Sequence, residues 1–114
     1  MSGKIRVVMV CALGMSSSLL EAATVKAAQE AGVDLDMQSV SAQQIAVYDF
    51  DAHPVDIILI APQVIFKRRS IKAVAEPRGI IVQEIEPTIY GMVDGERLFQ
   101  QILAAYEAKH GPVG

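Results

Sequence analysis

One side chain in this sequence of 114 residues has both the type and the setting of a nucleophile, and it is the single cysteine, Cys11. It ends the apolar run Ile5-Arg6-Val7-Val8-Met9-Val10 and opens the stretch Ala12-Leu13-Gly14-Met15-Ser16-Ser17-Ser18. A loop of small residues that leads into a helix exposes backbone N–H groups, and the helix dipole adds positive potential there. Such a loop holds an anion without a basic side chain, so the segment reads as a phosphate cradle. The same field favours the anionic form that a cysteine nucleophile uses. Glu21 is the only charged side chain between Val7 and Val25. Amides and the hydroxyls of Ser16, Ser17 and Ser18 must therefore supply the stabilisation. Free cysteine is also among the most buried residue types and often behaves as a small apolar side chain. Against that reading, Gly14 and three serines are poor core material, although one of the serines is expected to cap the helix.

Other chemically capable residues carry less. Lys67, Arg68, Arg69 and Lys72 form a basic cluster in a chain whose 10 Lys and Arg face 13 Asp and Glu. A run of this kind is usually a solvated helix face. The alternative is a docking patch, centred on Lys67 and Arg68, for an acidic partner, since complementary charge mainly speeds encounter. His53 sits before Pro54, and His110 at the end of the last apolar-periodic segment. Neither spacing suits assistance to Cys11, and two distant histidines with one cysteine make no metal site. Neither a metal nor a cofactor is expected. Met15, inside the loop, could line a contact with a partner. Tyr90 reads as a core aromatic or as a neighbour of the active loop.

The elements that must position Cys11 follow from periodicity. Ile5–Val10 is nearly all β-branched and apolar, as a strand buried on both faces requires. Residues 11–18 read as the loop, and Leu19, Leu20, Ala23, Ala27 and Ala31 then recur at helical spacing until Gly32 stops the helix. Leu35–Val40 alternates as a second strand, and Ser41 can cap a short helical turn over Ala42–Val47. Val55–Ala61 is a third strand, Gln63–Ala75 a helix with Val64, Ile71, Val74 and Ala75 inside, and Gly79–Ile85 a fourth strand. A turn with Pro87, Gly91 and Gly95 precedes a last helix burying Leu98, Ile102, Leu103 and Tyr106.

Alternating strands and helices with short connections predict an α/β fold, a three-layer sandwich over one parallel four-stranded sheet. An order of 2-1-3-4 keeps strand one inside and places the reversal between strands one and three, where the Cys11 loop meets Ala61-Pro62-Gln63. Residues 1–114 are expected to form a single domain, because this length leaves no room for a second core. With 52% hydrophobic and 20% charged residues and a mean hydropathy of +0.34, the chain lies outside the disordered class. A net charge of −3 and a pI near 5.3 argue against a nucleic-acid binder. A lone thiol suits a reducing compartment, and the apolar start is too short to span a bilayer and has no small-residue cleavage site. The expected location is the cytoplasm.

The segment Cys11-Ala12-Leu13-Gly14-Met15-Ser16-Ser17-Ser18-Leu19-Leu20 resembles the active-site loop of IIB components of the lactose/chitobiose (cellobiose) family of sugar phosphotransferase systems. Ile60-Ala61-Pro62-Gln63-Val64 is similar to that family's segment after strand three, and Tyr90-Gly91-Met92-Val93-Asp94-Gly95 to its segment before the last helix. The likeness runs from Lys4 to about Lys109. It implies a fold shared with low-molecular-weight tyrosine phosphatases. It also implies that Cys11 takes a phosphoryl group from a phosphohistidine on a IIA protein and passes it to a sugar at a membrane IIC transporter, a phosphotransferase reaction. Ala12 to Ser18 would form the phosphate-binding loop, the sugar would be a β-linked disaccharide such as cellobiose, chitobiose or lactose, and a monomer suits a loop that meets two partners in turn. Leu13 and Ala61 depart from the family's usual small residue and Gly, without removing a reactive group. A tyrosine phosphatase of the same arrangement is the main alternative, but it needs an arginine six residues after the cysteine, and that position is Ser17. Its leaving-group acid would have to come from the Glu86-Pro87 pair. A response-regulator-like module would want aspartates where Cys11 and Ala61 stand.

Overall fold

The computed structural model describes residues 4–12 and 15–112, with only the backbone of Met15 and Ser16. Four strands, β1 (Ile5–Val10), β2 (Leu35–Val40), β3 (Ile57–Ile60) and β4 (Ile81–Glu84), form one sheet in the order β2-β1-β3-β4. All three pairings are parallel. β1 and β3 are central because they are apolar almost throughout: Val7 to Val10 and Ile57 to Ile60 are at most 1% exposed. The register aligns the carboxyl ends of all four strands in one row, Val40, Val10, Ile60 and Glu84. Backbone bonds extend that row by one residue, from Cys11 N–H to the Val40 carbonyl (3.0 Å), Ala61 N–H to Val10 (2.9 Å) and Ile85 N–H to Ile60 (3.0 Å).

Chain direction along the sheet reverses between β1 and β3, so right-handed crossovers carry the connecting helices to opposite faces. α1 (Met15–Glu30) packs on β2 and on α5 (Gly95–His110), whereas α3 (Arg68–Ala75) packs on β4 and α2 (Ala42–Ala46). The three-layer α/β architecture and the strand order agree with the sequence expectation. None of the described helices is long and apolar enough to cross a membrane.

Several boundaries differ from expectation, each for a local reason. α1 begins at Met15 rather than after Ser18, so the loop after Cys11 is shorter and the serines occupy the helix's first turn. Its buried stripe runs through Ser17, Leu20, Thr24 and Ala28, while Leu19 is 53% exposed and Ala31 exposed. Thr24 can lie in the core because its hydroxyl donates to the Leu20 carbonyl of its own helix (2.6 Å), leaving no polar group unpaired. β3 starts at Ile57 rather than Val55 because the Asp56 carboxylate, not a ladder carbonyl, accepts the Arg6 N–H (2.8 Å). β4 starts at Ile81 because Gly79 adopts a left-handed conformation (φ 74°) and the Ile80 amide is used to close the preceding helix on Ala75 (3.1 Å).

The helix expected over Gln63–Ala75 is instead a 3-10 segment, Pro62–Lys67, followed by α3. Val64 has non-helical backbone angles (φ −120°, ψ 22°) and is buried, whereas Phe66 is 74% exposed. Ser41 caps α2 as expected, in a reciprocal box with Gln44 (3.1 and 2.7 Å). The turn expected before the last helix contains a five-residue helix, α4 (Pro87–Gly91). Leu98 and Ile102 of α5 are buried as expected, Leu103 and Tyr106 only partly, and Phe99 joins the core at 2% exposure.

Candidate active site

Cys11 stands one residue past β1, at the carboxyl edge of the sheet and just ahead of α1. The first four N–H groups of any α-helix lack intrahelical partners, and here they belong to Met15, Ser16, Ser17 and Ser18. The thiol is 1% exposed, and its Sγ lies 3.9 Å from the Val40 carbonyl oxygen. Burial by itself is what a core cysteine also shows. What separates Cys11 from β1's other buried side chains is its company.

That company includes Tyr90, from α4, which is 6% exposed and whose hydroxyl is hydrogen-bonded to the Ser17 side chain. Burial raises the Tyr90 phenol above its ordinary value of 10, and the charge on Cys11 raises it further, against a smaller opposing effect of the Ser17 bond. The phenol is therefore a neutral hydroxyl throughout the neutral range. Ser17 is 1% exposed, Ser18 is exposed on the same helical turn, and Ala12 is exposed. Leu13 and Gly14, with the side chains of Met15 and Ser16, lie outside the described residues. Glu21, the lone acidic group of this region, is held away on β2, where its carboxylate accepts from the Ser39 hydroxyl (2.8 Å). Ala61 is fully buried beside Cys11's strand end, with Pro62 and Gln63 at the corner.

Several sequence candidates stay apart from this cluster. His53 is in the loop before β3, 6.1 Å between ring centroids from Tyr48, at the amino ends of the strands. His110 stacks on Tyr106 (4.5 Å) at the end of α5, beside Lys109, which donates to the Gly79 carbonyl just before β4. Glu86 faces Arg97 of α5 (3.9 Å), and position 17 carries a buried serine. A polar cavity of about 350 Å³ is lined by Arg6, Asp36, Gln38, Tyr48 and His53, among others, but, among the described residues, by none of the Cys11 loop. Among the described residues no group of three or more His, Cys, Asp or Glu could hold a metal ion.

Lys67 and Arg68 begin at the same sheet edge as Cys11, in the segment that leaves β3. The Lys67 ammonium lies 5.8 Å from the Phe66 ring centroid, and Arg68 pairs with Glu84 at the end of β4. Arg68, one of the cluster's four basic residues, is thus spent on a surface ion pair, which stabilises by no more than about 1 kcal/mol.

The model of the family described as "PTS system, Lactose/Cellobiose specific IIB subunit" matches residues 6–101. The chain belongs to this family. It is 33% identical over 103 residues to the galactose-specific EIIB component of Lactococcus lactis subsp. cremoris, covering 89% of this chain and 92% of that one. It is 29% identical over 99 residues to the oligo-beta-mannoside-specific EIIB component of Bacillus subtilis, covering 87% and 93%. Among solved structures, the cellobiose-specific IIB component of Borrelia burgdorferi superposes with a TM-score of 0.74 at 26% identity, covering 94% of this chain and 95% of that one. The lactose-specific IIB domain of Streptococcus pneumoniae shares the fold, with a TM-score of 0.73 at 24% identity and coverage of 91% and 99%.

IIB components are phosphotransferases that work with IIA and IIC partners. In this IIB domain, sequence reasoning left Tyr90 between core aromatic and loop neighbour, and the structure makes it both. The signal was its place in the third family-like segment, Tyr90–Gly95. The bond to Ser17 was not readable, because 73 positions separate the two residues in the chain.

Proposed function

We propose that this IIB domain is a phosphocarrier in which Cys11 holds the phosphoryl group. The observation that carries the reading is the place of Cys11, immediately past central β1 and ahead of the amino terminus of α1, at the point where the sheet's winding reverses. The Cys11 sulfur attacks the phosphorus of phosphohistidine on IIA. The S–P bond forms as the P–N bond breaks, and its electron pair stays on the departing imidazole. In the second step a sugar hydroxyl oxygen attacks the same phosphorus, loses its proton to the surroundings, and the S–P electron pair returns to Cys11 as thiolate. Amides of residues 12 to 18 and the hydroxyls of Ser16, Ser17 and Ser18 surround the phosphoryl group during both displacements. A cradle of neutral donors holds the group without trapping it, as a carrier requires.

The sugar is proposed to be a β-linked disaccharide such as cellobiose, chitobiose or lactose, received at the cytoplasmic face of the membrane IIC protein. The domain acts there as a monomer, without a cofactor. Its relatives' names cite galactose, oligo-β-mannosides and cellobiose. Selection among sugars is accordingly assigned to IIC.

The test is the intact mass after incubation with phosphoenolpyruvate, the general phosphotransferase proteins and a IIA protein of the lactose/cellobiose type. A gain of one phosphate, with negligible hydrolysis of an aryl phosphate, is expected. Hydrolysis that depends on Cys11, without phosphate uptake from IIA, would instead make the protein a phosphatase working without an arginine at position 17.

Lys67 and Arg68 are proposed to steer the phosphorylated IIA towards Cys11. Reversing both charges to glutamate should cut the rate of phosphate receipt about tenfold at low ionic strength, with the difference vanishing near 0.5 M salt, where the screening length falls to about 4 Å. Equal rates at every salt concentration would return the cluster to a solvated face.

A further inference from the structure

We infer that the polar cavity at the amino ends of β1 and β2, at the opposite edge of the sheet from Cys11, is a binding site for a small neutral polyhydroxyl compound such as a single sugar ring. Such a site lies outside the proposed function and needs neither IIA nor a reactive Cys11.

The cavity exists because one layer of the sandwich is incomplete. Ser39 of β2 bonds to Glu21 of α1 (2.8 Å), so the alternating residues Asp36 and Gln38 face the other side of the sheet, the side of α2 and α3. On that side α2 has only five residues, roughly 7.5 Å of helix, beside a β2 of six residues and roughly 20 Å. The amino half of β1 and β2 is left to the chain between α2 and β3, and a space of about 350 Å³ remains between that chain and the sheet. This volume is at the small end of the ~300–1,000 Å³ usual for small-molecule sites. Arg6, on the cavity's floor, lies about 16 Å along β1 from Cys11.

The walls are in place before any ligand arrives. The chain between α2 and β3 is wound on Asp49, whose carboxylate accepts from the Asp51 and Ala52 N–H groups (3.2 and 3.1 Å) and whose carbonyl accepts from His53 N–H (3.0 Å). Pro54 follows and fixes the backbone beyond His53. Tyr48 packs on the buried Phe50 (4.9 Å between ring centroids), and its oxygen accepts from the Gln38 side-chain amide. Burial raises the Tyr48 phenol above its ordinary value of 10, the Gln38 bond opposes this, and the Asp36 charge adds to it. The phenol thus keeps its proton at neutral pH and has it free to donate.

The lining selects the ligand. Arg6 is the one charged residue in the central strands β1 and β3, and it stands opposite Asp36 in the β1–β2 register. Both line the cavity, and neither forms an ion pair among the described residues. A solvated strand end also carries charged residues, but it does not set a cation, an anion, an amide, a phenol and an imidazole around one preformed hollow. The two formal charges cancel, so an ion that pairs with one is repelled by the other. An apolar ligand would strip water from both and return no hydrogen bond. A hydroxyl donates and accepts at once, and so satisfies the donor-only guanidinium, the acceptor-only carboxylate and the Gln38 amide oxygen alike. The Tyr48 and His53 rings, 6.1 Å apart and inclined at 59°, offer apolar faces to the C–H groups of a sugar ring.

The experiment titrates glucose into the isotope-labelled chain and follows backbone amide shifts, with glucose 6-phosphate and glycine as charged and zwitterionic counterparts. Glucose should give saturating shifts confined to the surroundings of Arg6, Gln38 and His53, with a Kd of about 1–10 mM. Arg6→Gln and Asp36→Asn should each weaken binding about fivefold or more, and Tyr48→Phe about threefold. Arg6 and Asp36 are exposed, so these variants keep the fold, which a thermal melt checks. Cys11→Ala should bind glucose as the wild type does, so failure of the phosphocarrier reading and failure of this site are read separately. Shifts that rise without saturation to about 100 mM glucose, or an affinity unchanged in Arg6→Gln and Asp36→Asn, would overturn the site. Glucose 6-phosphate or glycine binding about tenfold more tightly than glucose would overturn the ligand class.

Discussion

Cys11→Ser is expected to lose phosphate uptake altogether while keeping the fold. The substitution changes one atom at a site where the side chain is 1% exposed and already rests against the Val40 carbonyl. A serine hydroxyl can donate to that same carbonyl, so its burial leaves no polar group unpaired, and the thermal midpoint should move by only a few degrees. The chemistry fares differently. A thiol supplies an appreciable fraction of thiolate near neutral pH, whereas a serine hydroxyl supplies almost none unless a general base takes its proton. His53 and His110 both lie away from this end of the sheet. Glu21 is occupied by Ser39. Nothing among the described residues is arranged to activate a serine at position 11, and the rate of phosphate receipt should fall by about a thousandfold or more. Intact mass and radiolabelled phosphoenolpyruvate read the result. A serine variant that still carried an acid-stable phosphate at near wild-type rate would mean that the loop, and not the sulfur, supplies most of the rate.

Gly95→Ala is the second large effect, and it acts on stability. A Cβ built at Gly95 would lie 2.3 Å from the Ala23 carbonyl carbon, 2.5 Å from Ala23 Cβ and 2.5 Å from the Thr24 nitrogen. These atoms are backbone or the stub of an alanine, so no flexible side chain can yield. α5 would have to part from α1 by about 1 Å to restore ordinary contact. One effect opposes the loss: alanine is favoured over glycine in a helix by up to about 1 kcal/mol, chiefly because it leaves the unfolded chain fewer conformations. Overpacking against fixed backbone costs about 3 kcal/mol or more, and forces the longest helix pair in the domain apart. The net loss should be about 2 kcal/mol, a fall of roughly 8–10 °C in thermal midpoint for a domain of this size. Gly91→Ala is the control, because nothing lies within 4 Å of a Cβ there, and it should stay within about 0.5 kcal/mol of wild type. Equal midpoints for the two variants would show that the helices can separate at no cost.

Periodicity made the frame of this protein legible. The apolar runs Ile5–Val10, interrupted only by Arg6, and Ile57–Ile60 are satisfied by strands buried on both faces, and buried parallel strands need helical crossovers on both sides. The place of Cys11, after the first such strand and before a loop of small residues, follows from the same reading. Short-range chemistry was legible too: Ser41 followed three residues later by Gln44 caps α2. Legibility failed where a hydrogen bond or a contact from elsewhere in the chain set the outcome. Leu19 looks like core by hydropathy, yet Thr24 takes the inner face of α1 because its hydroxyl bonds within its own helix. Phe66 and Val64 are both apolar, and a kink that no propensity announces buries the second and exposes the first.

The sequence by itself determined the four strands, their order and the edge of the sheet at which Cys11 stands, since these depend on periods of two and 3.6 residues and on one chirality rule. Tertiary structure alone decided that Tyr90 reaches Ser17 and Cys11, that Gly95 meets the backbone of α1, and that Arg68 is drawn to Glu84. Each of these joins residues far apart in the chain, and a contact of that kind is fixed by how packed helices settle against a sheet, which local pattern does not encode.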